Sequence, residues 1–153
     1  MPPDLRAAGS RSWAPFVGIG SLLVLAGGFV AAAGGEAPSR HLSWACAYLV
    51  LVCGSAQIFL GGGQALVGSR PVSPRLAAVQ LSAFNLGNAG VLVGTLTDVT
   101  GVLYAGSAVL VAALALFAWS TRSTTGSRLQ VALYRGVLVV LAVSIPVGGV
   151  LGS

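Results

Sequence analysis

Apolar positions run in four long blocks behind a leading apolar segment, and only short connectors rich in Arg, Ser, Thr, Gly and Pro interrupt them. The blocks are continuous rather than one-sided, the pattern of helices surrounded by hydrocarbon rather than helices with one wet face. A crossing needs about 20 apolar residues, and the pattern predicts five, at 13–35, 42–63, 75–96, 101–119 and 129–151. The expected fold class is all-α, a polytopic transmembrane helix bundle, with 1–12 as a cytoplasmic tail and 13–152 as a single transmembrane domain.

Local signals place the boundaries. Trp13 and Phe16 stand where an interfacial aromatic belt would lie, behind a tail holding Arg6 and Arg11. A cleaved signal peptide competes with this reading, because 31–35 are small residues and the tail is basic. An apolar run of about 20 residues exceeds the usual ~7–15-residue core of such peptides, which favours a retained span. The second span follows Pro38, Ser39 and Arg40, and Gly61, Gly62 and Gly63 are expected to end or loosen it. Ser73 reads as an N-cap with Pro74 at the first helical position of the third span. Thr97, Asp98 and Thr100 make a tight connector of helix-capping residues, and Phe117 and Trp119 mark the far end of the fourth span. The fifth starts at Arg128 or Leu129 and should kink at Pro146.

Arginine alternates from side to side. Arg6 and Arg11 precede the first span, Arg70 and Arg75 join the second to the third, and Arg122 and Arg128 join the fourth to the fifth. Arg40, Glu36 and Asp98 fall on the other side. Short arginine-rich loops stay cytoplasmic, so the expected topology is N-in, C-out. The second and third spans, and the fourth and fifth, then form hairpins of the same sense. Arg75-Leu76 and Arg128-Leu129 sit at matching places in them, a thin basis for a parallel repeat.

Composition changes this picture little but excludes much. Hydrophobic residues make up 56% and charged residues 7% of 153, and mean hydropathy is +0.91. A soluble domain needs roughly a quarter charged residues to cover its surface, so a soluble globule is excluded. The net charge of +5 comes from arginines dispersed among connectors, which argues against nucleic acid and for anionic headgroups as their counterpart. An all-Arg basic set with abundant Ala and Gly fits a GC-rich bacterial coding bias, hence an expected multi-pass location in a bacterial inner membrane.

The chemistry within the spans is sparse. Cys46 and Cys53, seven positions apart on one helix, are separated by roughly 10 Å and cannot bridge within the chain. Together with Gln57 and Gln64 they form one stripe at ~100° per residue. The third span carries a broader polar face of Gln80, Ser82, Asn85, Asn88 and Thr95. Carboxamides at this depth are costly unless paired, so they must face protein or a wetted cavity. Measured from the span midpoints, Gln57 lies about 7 Å and Gln80 about 9 Å toward the inner surface, an alignment that would let them meet. Asn85 and Asn88 would lie nearer the level of Cys53. The bland role for this seam is interhelical hydrogen bonding; the sharper one is a polar pathway or ligand pocket.

No span contains an internal Asp or Glu, which removes the basis for a proton relay built on buried acids. The membrane glutamate that a small multidrug transporter carries in its first span is missing here. His41, the single histidine, excludes a bis-histidine haem or a multi-histidine metal site within one chain and reads as an interfacial residue. No cofactor is expected. Ser107 and Ser144 read as backbone-bonding serines. Arg135, beside Tyr134, is either an interfacial anchor that snorkels or a buried charge in need of a partner. Gly90 with Gly94, Gly27 with Ala31 and Gly28 with Ala32 allow close helix approach, within the chain, with a second copy or with other membrane subunits.

The expectation is a non-enzymatic packing, assembly or partner-binding subunit in the lipid bilayer. The alternative is a small transporter or channel for a neutral or weakly polar solute that uses the amide seam. A cysteine-based enzyme ranks third.

Overall fold

The computed structural model describes residues 12–35 and 39–151, with side chains through Ser144. Arg6, Arg11, Asp4, Glu36, Pro38 and the side chain of Pro146, whose kink was expected above, lie outside the described residues.

Within them the chain is all-helical. The helices are α1 (Ala14–Ala33), α2 (Arg40–Val67), α3 (Pro74–Leu96), α4 (Thr100–Ser120) and α5 (Arg128–Leu151). The first four are each long and apolar enough to cross a membrane. Continuous helices suit that medium because hydrocarbon offers no partner to a free backbone N–H or C=O.

Polar side chains start α2, α3 and α5. Ser39 Oγ accepts from the Leu42 N–H (3.2 Å) and Ser73 Oγ from the Leu76 N–H (3.3 Å), with Pro74 opening α3 as expected. Ser127 and Gln130 form a reciprocal capping box on α5: the Gln130 N–H donates to Ser127 Oγ and the Ser127 N–H to Gln130 Oε1. The α3–α4 turn departs from expectation. Its polar residues close α3 rather than open α4, whose N-cap Val99 makes no side-chain bond. Asp98 takes the left-handed conformation (φ 55°), and the Val99 N–H reaches back to the Gly94 carbonyl at 3.0 Å, the wide bond of a Schellman ending.

Two features of α2 run against the sequence reading. Leu49–Ala56 is π-helical, and Ser55 Oγ follows that winding by donating to the Val50 carbonyl at 2.8 Å. The glycine triplet does not end the helix, which continues to Val67. Its glycines are sites of contact instead. A Cβ on Gly61 would overlap Phe16 of α1, and one on Gly63 would meet the Tyr134 ring of α5 at 2.6 Å, whereas Gly62 faces open space.

The bundle is tight in the half nearest the α2–α3 and α4–α5 connectors. Phe16, Phe84 and Phe117, from α1, α3 and α4, meet edge to face with ring centroids 5.7 and 6.2 Å apart, and all three are buried. The two connectors pair through an isolated antiparallel bridge between Gly68 and Thr124. α3 and α4 stay close along their length because Gly87, Gly90 and Gly94 sit against Leu110, Gly106 and Leu103. Gly90 and Gly94 thus serve packing inside the chain. On α1, Gly27 packs on Leu49 and Val50, while Gly28 has nothing near it. In the other half, α2 stands away from α3, α4 and α5, and a cavity opens between them.

Candidate functional site

Cys46, Cys53, Gln57 and Gln64 are all buried, as a single inward stripe requires, and both thiols are free. Their partners lie on three different helices. Gln57 Nε2 donates to the Phe16 carbonyl of α1 at 3.2 Å, and Gln57 Oε1 accepts from Asn85 Nδ2 of α3 at 2.7 Å. Asn85 Nδ2 also donates to the Leu81 carbonyl at 2.8 Å. One amide pair, a fully buried Gln57 and a partly buried Asn85, therefore joins three helices.

A second knot lies closer to the connectors. Gln80 Nε2 donates to Ser120 Oγ and to the Leu116 carbonyl, each at 3.2 Å, and Ser120 Oγ lies 3.0 Å from Gln64 Oε1. Ser120 thus links the glutamines of α2 and α3 through α4. Among the described residues Gln80 Oε1 is a buried oxygen with no hydrogen-bond partner. A third bond runs from Tyr134 Oη to the Leu60 carbonyl at 3.3 Å and fastens α5 to α2.

The expected meeting of Gln57 with Gln80 does not occur. Gln57 pairs with Asn85, and Gln80 reaches Gln64 through Ser120. The hairpin register is set from the connector and not from the span midpoints. α2 has 28 residues and α3 has 23, so the surplus of α2 lies at the far end. Ser82 is exposed and takes no part, since two residues along a helix turn it roughly 200° from Gln80. Asn88 is buried and points the other way along the bundle: its Oδ1 accepts from Tyr48 Oη at 2.8 Å, and its Nδ2 donates to the Phe84 carbonyl.

Arg135 is exposed on α5. Ser107 and Ser144 bond the carbonyls of Leu103 and Leu141, as expected. Tyr48, Ser120 and Tyr134 were missed as seam members. The signal was available, because each is a hydroxyl at or within a span end, where an unpaired polar group would be costly.

The cavity has a volume of about 830 Å³. Arg40, His41, Asp98 and Thr100 stand at its polar end, and Phe84, Leu110 and Leu114 line its depth. Trp44 and Tyr48 stack along its wall with centroids 5.0 Å apart. Of the seam, Tyr48 and Thr95 line it, and Gln57, Gln64, Gln80 and Asn85 are not among the described residues that do. The buried glutamines and the cavity thus occupy different parts of the bundle.

No protein-family model, curated protein or solved structure matches the chain.

Proposed function

We propose that the chain is a non-enzymatic integral membrane subunit that acts by binding and not by chemistry, seated in a bacterial inner membrane with its N-terminus inside. One observation carries this reading: the buried amides are engaged in bonds between helices, so they form a lock and not a reactive or conducting set. A solute path along the seam would need Gln57, Gln64 or Gln80 to face an open space, and none of them lines the cavity. Burial of Phe16 in the core, and its carbonyl bond to Gln57, favour α1 as a retained crossing and not a leader.

One surface open to a protein partner is the outward face of α1. Gly28 is open, Ala32 lies one turn further on, and Leu25 and Phe29 beside them are exposed. Such a notch between large residues admits a neighbouring helix at short range. Extraction in mild detergent followed by native mass spectrometry tests the reading. The chain is expected in a larger species that Gly28→Leu dissociates without loss of helicity. A strictly monomeric particle with no copurifying protein would overturn it.

A further inference from the structure

We propose that the cavity between α2, α3, α4 and α5 is a binding site for one zwitterionic phospholipid, headgroup at the Arg40–Asp98 end and acyl chains in the apolar depth. This does not rest on the partner-binding reading, which concerns α1, a helix with no residue in the described lining of the cavity.

The size fits. About 830 Å³ lies within the range of ligand sites and far above what a trapped water needs. From Thr100 to Leu114 along α4 the lining extends roughly 21 Å at 1.5 Å per residue. That is an elongated slot for extended hydrocarbon and not a compartment for a compact solute.

The chemistry is graded along the slot. Its polar end holds a cation, Arg40, with His41 beside it, and an anion, Asp98. Arg40 and Asp98 are both exposed, and neither has an ion-pair partner among the described residues. A headgroup bearing phosphate and ammonium satisfies both charges at once; a purely anionic head would meet Asp98 with repulsion. Below the charges come the stacked Trp44 and Tyr48, amphipathic rings of the type that sits at headgroup level. Thr95 and Ser107 follow, their hydroxyls turned onto the Val91 and Leu103 carbonyls, which leaves their apolar faces for a ligand. The depth is Phe84, Leu110 and Leu114, with no charge among the described residues. Arg40 and Asp98 reach the slot from different elements, the start of α2 and the α3–α4 turn, so occupancy would bridge the two sides of the open half.

Trp44 supplies the reporter. The full chain with Trp13→Phe and Trp119→Phe, in detergent micelles, is titrated with phosphatidylethanolamine brominated on its acyl chains. The expected result is saturable quenching of Trp44 at one lipid per chain, reversed by unbrominated phosphatidylethanolamine. Phosphatidylglycerol should bind about tenfold more weakly, equivalent to the loss of one good charge contact. Asp98→Asn, which keeps a residue tolerant of the left-handed turn, should erase that preference. Ser107→Phe should fill the slot and abolish saturable quenching; Thr95→Phe, from α3, is the second filling variant should the first fail to fold by circular dichroism. Quenching that only tracks micelle loading, or persists in both filling variants, would overturn the site. Equal binding of the two lipids would overturn the zwitterionic assignment. Competition by phosphoethanolamine alone would overturn a lipid in favour of a soluble zwitterion.

Discussion

The two partners of the buried amide pair are not equivalent. If Gln57 becomes Leu, its bond to the Phe16 carbonyl is lost as well, but Asn85 Nδ2 keeps its bond to the Leu81 carbonyl and is not stranded. If Asn85 becomes Leu, Gln57 Oε1 loses its donor at a position with no solvent exposure. Stranding a buried acceptor costs about 1–3 kcal/mol, whereas an intramembrane hydrogen bond removed cleanly averages about 0.6 kcal/mol. Asn85→Leu is therefore expected to lower stability more than Gln57→Leu in reversible unfolding by mixed micelles, and the double variant should recover part of the difference. Equal costs would show that Asn85→Leu strands no acceptor and would overturn the asymmetry. Asp98 offers the opposite sign. A non-glycine residue at φ 55° carries steric strain, so Asp98→Gly should stabilise the α3–α4 turn, by up to about 1 kcal/mol, and Asp98→Val should destabilise it.

At the scale of elements, the glycine triplet of α2 separates conformational preference from packing. Gly→Ala in an open helix position stabilises by roughly 0.5–1 kcal/mol, so Gly62→Ala should raise the unfolding midpoint. Gly61→Ala should lower it well below the wild-type value, because the new methyl would occupy the place of Phe16, and Gly63→Ala should be intermediate, since the Tyr134 ring can shift. If all three stabilised alike, the triplet would be a hinge and the packing account would fail. The same contrast shows which parts of the fold could be read from the chain. Helix starts were legible at Ser73 and close to Ser39, because a cap is a bond between residues three apart. The inward stripe on α2 was legible because burial of amides in hydrocarbon follows from their chemistry. The continuation of α2 through Gly61, the π-helical stretch at Leu49–Ala56 and the Gln57–Asn85 register were not, because each depends on a neighbour. Gly54, inside the π-helical stretch, packs against the Gly20 carbonyl and Val24 of α1, a fit invisible in either segment alone.

For the whole molecule, the deciding asymmetry is between its two ends. The Ser69 N–H donates to the Ser123 carbonyl (3.0 Å) and the Thr125 N–H to the Val67 carbonyl (3.1 Å), which fastens both arginine-bearing connectors into one surface. Arg70, Arg75, Arg122 and Arg128 are exposed there, and Arg122 lies over the Trp119 ring at 4.1 Å. Arg40, His41 and Asp98 mark the opposite, open end. Short loops rich in arginine resist translocation, so the fastened end should face the cytoplasm and the cavity the outer leaflet. Single-cysteine reporters can decide this in a background with Cys46 and Cys53 replaced by Ala, since both native thiols are buried. Thr97→Cys, on the exposed α3–α4 turn, is expected to react with a membrane-impermeant maleimide in intact spheroplasts. Ser123→Cys, exposed on the paired connectors, should react only after permeabilisation. The reverse pattern would invert the topology and place the cavity toward the cytoplasm, and reaction of both reporters in intact spheroplasts would mean that the arginine asymmetry does not set the orientation. If the expected pattern holds, replacing Arg70, Arg75, Arg122 and Arg128 together by Gln should make Ser123→Cys partly reactive from outside, because the charge difference that holds the connectors inside would then be gone.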